Sequence, residues 1–389
     1  MRSETWVLID ARYDHYFENF CYENTENDCE AKPRVPQYYF KRFTGGRCDC
    51  VDLVTIDNGL VSIDLLPTRG MGIQRINCQD VKLQWNSPNI RPVHPSFVQL
   101  SDPSGTGWLE GFTEWLVRCG LESNGAADFD ENGKLLRPMH GRIANTPADF
   151  LQLEENNDTK EIFLNAKIYE TKLFTKKFEL DTTLRTTFHS TKFTIIDKIT
   201  NLSAEPNEFQ LLYHINTGQP FAAPGSRVIS PFDRLAPQSL LSAENLPEWN
   251  LLGDEIKGSK EVVFYMEPAI DNNGNCKAML LNPSGDRAIL LTFVRDLLPY
   301  FILWKSRLDN ADGYVCGFEP AVNFPNNYTF EKQQGRTVKL QPNESKTYKL
   351  DFEILMNAEA VKNAEEELKS IPAKNRIETT PPKEWSNHN

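Results

Sequence analysis

Glu161-Ile162-Phe163-Leu164-Asn165-Ala166-Lys167-Ile168 alternates apolar and polar side chains, with Ile162, Leu164, Ala166 and Ile168 on one face. A period of two is the pattern of a β-strand with one buried face. The pattern continues through Phe174, Phe178, Leu180, Leu184, Phe188, Phe193, Ile195 and Ile199, with Thr and Lys between them. Asn201-Leu202-Ser203 and Glu205-Pro206-Asn207 mark a turn, and Phe209 to Ile215 reads as the next strand. Further strands are predicted at Glu261–Met266, Ala278–Leu281, Ala288–Val294, Tyr300–Trp304, Tyr314–Phe318 and Tyr348–Leu355. Upstream, Val51–Ile56 and Leu60–Leu66 flank Asp57-Asn58-Gly59, a hairpin signal in which Asn-Gly supplies the positive φ angles of the turn. Many strands, separated by turns and few helices, predict an all-β fold: a large antiparallel β-sandwich.

Three parts are expected. Residues 1–50 form an irregular arm whose aromatics pack on the body, with a polar loop at Asn24–Asp28 and Pro33 and Pro36 around Arg34-Val35. Residues 51–356 form one sandwich domain. Residues 357–389 form a charged helix over Glu359–Lys369 and a flexible tail after Pro372. Trp108 to Gly120 reads as a short helix capped by Gly120. Gly70 and Gly72 around Met71 point to close backbone approach, because their spacing fits neither a Walker nor a Rossmann loop.

The chain has 389 residues and a net charge of −12. Such a surface repels phosphates and anionic lipids, so neither nucleic acid nor membrane is expected as a partner. Eight cysteines lack zinc spacing, and no apolar run reaches the roughly 18 residues of a spanning helix. No secretory signal opens the sequence, so buried thiols in a reducing, cytoplasmic setting are expected, with no metal and no cofactor.

Candidate chemistry gathers at three places. Tyr314-Val315-Cys316-Gly317-Phe318-Glu319-Pro320-Ala321-Val322-Asn323 runs an apolar strand into one carboxylate, and Pro320 removes a backbone donor just after it. Met139-His140-Gly141-Arg142 and Tyr213-His214-Ile215-Asn216 place imidazoles beside turn-forming or strand-end residues. A carboxylate and an imidazole can together remove one proton and supply another, and histidine suits the acid role because its ordinary pKa lies near 6.5. A neighbouring carboxylate is expected to raise that value further.

These motifs resemble the galactose mutarotase (aldose 1-epimerase) superfamily, in particular its aldose-epimerase-like bacterial branch. The resemblance rests on Leu66-Pro67-Thr68-Arg69-Gly70-Met71, Arg118-Cys119-Gly120-Leu121, His140-Gly141-Arg142-Ile143-Ala144-Asn145 and the Glu319 stretch, over roughly residues 50–355. It implies the β-supersandwich of that superfamily. It also implies an enzyme that interconverts the anomers of a free sugar, with Glu319 as base, His214 as acid and His140 hydrogen-bonding the sugar. Arg69, Arg142, Asn216, Trp304 and Asn323 are then candidate substrate contacts, with Trp108 and Phe112 as further aromatic platforms. If the sugar is acidic, the two arginines would clamp its anion. The galactose enzymes also carry an early Asn-Arg pair and a later acidic sugar ligand; here Arg69 is the candidate for the former, and the latter has no assigned counterpart. The expected partner is a small-molecule sugar, with the oligomeric state open. Two alternatives remain at this stage. One is a sugar-binding protein without catalysis. The other is a glycoside-cleaving or lyase enzyme, which needs a second carboxylate from among Glu110, Glu114 and Glu122.

Overall fold

The computed structural model describes residues 3–24 and 35–387. The polar loop expected over Asn24–Asp28, and Cys29, Pro33, Arg34 and His388, lie wholly or mostly outside these residues. Two large sheets pack face to face, one of ten strands and one of fourteen. The ten-stranded sheet is built on the period-two segment. Strand Glu161–Thr171 pairs with Lys177–Thr187 in an unbroken register from Glu161↔Thr187 to Thr171↔Lys177. Lys192–Asn201 and Ser345–Leu355 continue the sheet. Ile162, Leu164, Ala166 and Ile168 all enter the core between the sheets, which is what their alternation dictates. Phe174 does not follow: it sits in the connection between the two strands, 94% exposed, at φ 65°.

The hairpin forms between Asp52–Asp57 and Val61–Leu66, but only Gly59 of its turn takes a positive φ. Asn58 is used differently. It is buried, its Oδ1 accepts from the Leu60 and Val61 amides, and its Nδ2 donates to Thr186, Thr187 and Ser190 of the other sheet. A second tie is Arg118, whose guanidinium meets Asp197 at 2.6 and 2.9 Å and also donates to the Gly70 and Met71 carbonyls. Gly70 makes a close approach of its own: a Cβ there would lie 2.3 Å from the Ile143 carbonyl oxygen.

Four expectations change. The described residues of the first fifty are not irregular throughout, because Ser3–Asp10 pairs with Ala148–Asn156 and Gln37–Arg42 pairs with Asp52–Asp57. Their aromatics do pack on the body: Trp6 contacts Phe20, Tyr22 and Tyr38, and Tyr38 donates to the buried Glu155. The predicted helix over 108–120 is a 3-10 turn at Gly107–Gly111 followed by strand Leu116–Leu121. Its apolar residues serve two cores, Leu116 and Leu121 joining the main one and Val117 and Cys119 the outer one. The tail is docked. Arg376–Ile377 adds to the large sheet and Trp385 packs on Phe324 with ring centres 4.9 Å apart. Finally, the strand bearing Glu319 runs through Pro320 to Ala321. The missing donor shows as a gap in the ladder and not as a strand end. Pairing with Asn207–Gly218 skips from Leu212↔Ala321 to Ile215↔Phe318 without a register shift.

The predicted C-terminal helix is present at Ala358–Ser370, capped by Asn357, and lays Val361, Ala364 and Leu368 on the outside of the ten-stranded sheet. All seven described cysteines are free thiols, five of them buried. No helix is long and apolar enough to cross a membrane among the described residues.

Candidate active site

The unshifted register across the Pro320 gap sets His214 opposite Glu319 on adjacent antiparallel strands. Directly opposed residues share a face with their Cβ atoms about 5 Å apart. Here the face is the outer one, and His214 Nε2 lies 3.2 Å from Glu319 Oε1. Both side chains are buried. Glu319 Oε1 has no directed hydrogen bond, so the 3.2 Å contact is an approach between two groups that lack other partners at those atoms. Gly317 makes room for it. A Cβ on Gly317 would stand 2.4 Å from Glu319 Oε1 and 3.0 Å from the Trp304 ring.

The imidazole of His214 is held by its neighbour two residues along. Asn216 Nδ2 donates to the carbonyls of Glu114 and His214, so its Oδ1 must face the ring. That oxygen lies 2.5 Å from His214 Nδ1, which therefore carries the hydrogen. Nε2 is left with a free lone pair, aimed at Glu319. His140 is oriented by the same logic. Its Nδ1 lies 2.8 Å from the Asn124 carbonyl oxygen and must donate to it, leaving Nε2 as an acceptor. His140 adopts φ 57°, a conformation uncommon for a residue with a Cβ and frequent at functional sites. The chain is fixed there by hydrogen bonds from His140 N to the Gly125 carbonyl and from Gly120 N to the His140 carbonyl. The two imidazole rings meet edge to face with centres 5.6 Å apart.

A cavity of about 310 Å³ opens over these groups. Trp108, Phe112 and Trp304 form its aromatic wall, with the Phe112 and Trp304 rings 5.1 and 5.2 Å from the His214 ring. Gln238 and Glu261 supply further polar groups. Glu261 Oε2 accepts from Trp304 Nε1 at 2.8 Å, which fixes the indole.

Burial governs the electrostatics. It pushes Glu319 well above the usual carboxylate range, and the Glu261 charge adds to the effect. It pushes His214 down to about 3, with help from His140 and against the Asn216 hydrogen bond. It pushes His140 down to about 4, against the Asn124 carbonyl. The expectation that a carboxylate would keep His214 charged is thus corrected. The desolvation that disfavours an imidazolium also drives that carboxylate toward its neutral acid. Burial thus disfavours charge on both groups of the pair, and Glu319 Oε1 stands within hydrogen-bond distance of the free lone pair of His214 Nε2.

Of the residues singled out in the sequence, His140, His214, Glu319, Trp304, Trp108 and Phe112 line this one cavity. Asn216 touches it only through His214. Asn323 lies deeper and exchanges amide hydrogen bonds with Asn124, whose carbonyl holds His140. Arg69 is fully buried away from the cavity, paired with Glu114 at 2.5 Å and bonded to the Val93 and Gly111 carbonyls and to Asn145. Arg142 is half-exposed and pairs with Glu122 at 2.6 Å. None of Glu110, Glu114 and Glu122 lines the cavity; Glu261 does. Gln238 has no signal in the sequence, Met139 stands there only as the neighbour of His140, and Glu261 and Tyr265 only as parts of a predicted strand. Only the alternation of Glu261, Val263 and Tyr265 along one strand could have pointed to them. No group of three or more metal-binding side chains occurs among the described residues.

The model of the family described as a domain of unknown function, DUF4432, matches residues 49–354. No curated protein matches the sequence. Among solved structures, a Klebsiella pneumoniae protein provisionally named an aldose 1-epimerase superposes with a TM-score of 0.91 at 29% identity. The match covers 100% of this chain and 99% of that one. A galactose mutarotase-like protein of Clostridium acetobutylicum superposes at TM-score 0.56 and 14% identity, covering 87% of this chain and 98% of its own. Another from Lactobacillus casei gives 0.51 and 16%, with 78% and 99% covered. The fold is accordingly the galactose mutarotase-like β-sandwich, as the motifs implied.

Proposed function

We propose that this chain, which belongs to the DUF4432 family, is an isomerase of the aldose 1-epimerase type acting on a free sugar. One observation carries the proposal: a buried His214–Glu319 pair at 3.2 Å, with the imidazole tautomer fixed by Asn216, in a cavity the size of a small sugar. The name borne by the Klebsiella pneumoniae protein supports it.

The pair holds one proton, and sugar hydroxyls donating to the Glu319 carboxylate favour its transfer to His214 Nε2. Glu319 then takes the proton of the C1 hydroxyl while His214 Nε2–H protonates the ring oxygen. The bond from C1 to the ring oxygen breaks and the C1 oxygen becomes the aldehyde oxygen. Rotation about the bond from C1 to C2 and closure on the other face give the second anomer, with each group returning its proton. His140 Nε2 accepts from a sugar hydroxyl, and Trp304, Phe112 and Trp108 cover the apolar face of the ring. Glu261 takes the place of the acidic sugar ligand.

Among the described residues no Lys or Arg lines the cavity, so the anion clamp open to Arg69 and Arg142 finds no counterpart there, and a neutral sugar fits this lining best. The test is the decay of optical rotation of fresh α-glucose, α-galactose and a panel of other aldoses. Glu319→Gln is expected to lower turnover by on the order of 100- to 10,000-fold while a binding titration changes little. Unchanged turnover in Glu319→Gln would leave a sugar-binding protein as the better account.

A further inference from the structure

A second cavity, of about 530 Å³, lies on the other side of the Phe112-Thr113 segment from the catalytic one; Phe112 lines the first and Thr113 the second. Its charge is opposite in kind. Lys41, Arg75 and Arg91 line it against a single acid, Asp64, in a chain whose net charge is −12. Asp64 engages Arg75 Nε at 2.7 Å. Lys41 has only the Phe43 ring beside it, 5.6 Å away, and neither Lys41 nor Arg91 has an acidic partner among the described residues. Three cations against one acid give this hollow a positive field inside an otherwise acidic surface, which favours an anion there.

The remaining lining fits a carbohydrate. Gln84 offers an amide that both donates and accepts, and Asn86 and Asn89, whose Nδ2 groups donate to Asn310 Oδ1 and the Leu109 carbonyl, add amide oxygens that accept, which matches hydroxyl groups. Trp85 offers an aromatic face and is fixed by its Nε1 donating to the Glu114 carbonyl at 3.0 Å. We propose that this cavity is a second binding site, for an anionic sugar: a phosphorylated or carboxylated monosaccharide whose anion meets Lys41 and Arg91 and whose ring lies on Trp85.

Isothermal titration of the full chain with glucose 6-phosphate, glucuronate, glucose and inorganic phosphate tests this. At least one anionic sugar should bind at least tenfold more tightly than glucose and than phosphate alone, and more weakly as salt rises. The double variant Lys41→Met/Arg91→Met should lose at least tenfold of that affinity, with rotation of neutral aldoses unaffected in both proteins. The Glu319→Gln protein should bind the anionic sugar unchanged, which separates this site from the proposed catalytic one. Equal binding of glucose, affinity retained in the double variant, or no binding at millimolar concentration overturns the proposal.

Discussion

Asn216 Oδ1 sits 2.5 Å from His214 Nδ1 and, with its own Nδ2 committed to two backbone carbonyls, dictates which nitrogen of the ring faces Glu319. Asn216 is therefore a positioning residue. Asn216→Ala frees the ring to flip and exchange tautomers, and kcat should fall roughly 100-fold with KM little changed. Asn216→Asp places a carboxylate on Nδ1 and raises the His214 pKa. Its signature is an acid limb of the rate profile shifted to higher pH, which a merely structural role would not produce.

The pH profile of the unaltered protein is a second test. An ordinary histidine would give an inflection near 6.5. With His140 pushed down to about 4 and His214 to about 3, kcat/KM should stay level through 6.5 and fall only as pH approaches 4. The histidine contribution to stability carries the same sign: below 6.5 the unfolded chain binds protons that folded His140 and His214 refuse, so that contribution declines as pH drops from 6.5 toward 4, while Glu319 and Glu170, raised by burial, contribute in the opposite direction. Denaturant unfolding at several pH values measures it, and an inflection of kcat/KM at 6.5 would contradict the burial of the pair.

Gly317 permits the fold-back of Glu319 without touching substrate. Gly317→Ala would put a methyl 2.4 Å from the present position of Oε1, so the carboxylate must swing aside. Displacement of a reacting group by about 1 Å can cost on the order of 100-fold in rate. Polarimetry should show that loss while the unfolding midpoint moves little.

Arg69 should behave in the opposite way. Arg69→Met strands the Glu114 carboxylate in a dry interior, which typically costs about 3–5 kcal/mol. Urea unfolding should register that loss, and Glu114→Gln in the same chain should recover part of it. Folded Arg69→Met should retain most of its affinity for sugar.

Much of this was legible before any coordinates. Alternation from Glu161 to Ile199 sufficed for the sheet because a half-buried strand must alternate. His140, His214 and Glu319 could be ranked because each stands beside Gly, Pro or Asn, where regular pairing gives way. The helix expected over 108–120 failed because Leu116, Val117 and Cys119 serve two different cores, so both parities are apolar and the period is masked. Arg69 reads as a substrate ligand because a long side chain beside a glycine in a turn-like stretch can reach a pocket. That its guanidinium points inward depends on Glu114, Gly111 and Asn145, far along the chain. Glu261 stayed invisible for a related reason, since its place over the cavity follows from pairing Val263 with Trp304.

The first forty residues have a consequence of their own. Ser3–Asp10 covers the exposed side of Ala148–Asn156 in one sheet, and Gln37–Arg42 covers Asp52–Asp57 in the other. Trp6, Phe20, Tyr22 and Tyr38 rivet the two additions together. The segment matched by the family model begins only at residue 49. A protein trimmed to that segment would offer two bare rows of backbone donors and acceptors, one per layer, to any strand in solution. The amino-terminal stretch thus extends both layers beyond the segment that the family shares, and moves each sheet's edge away from it.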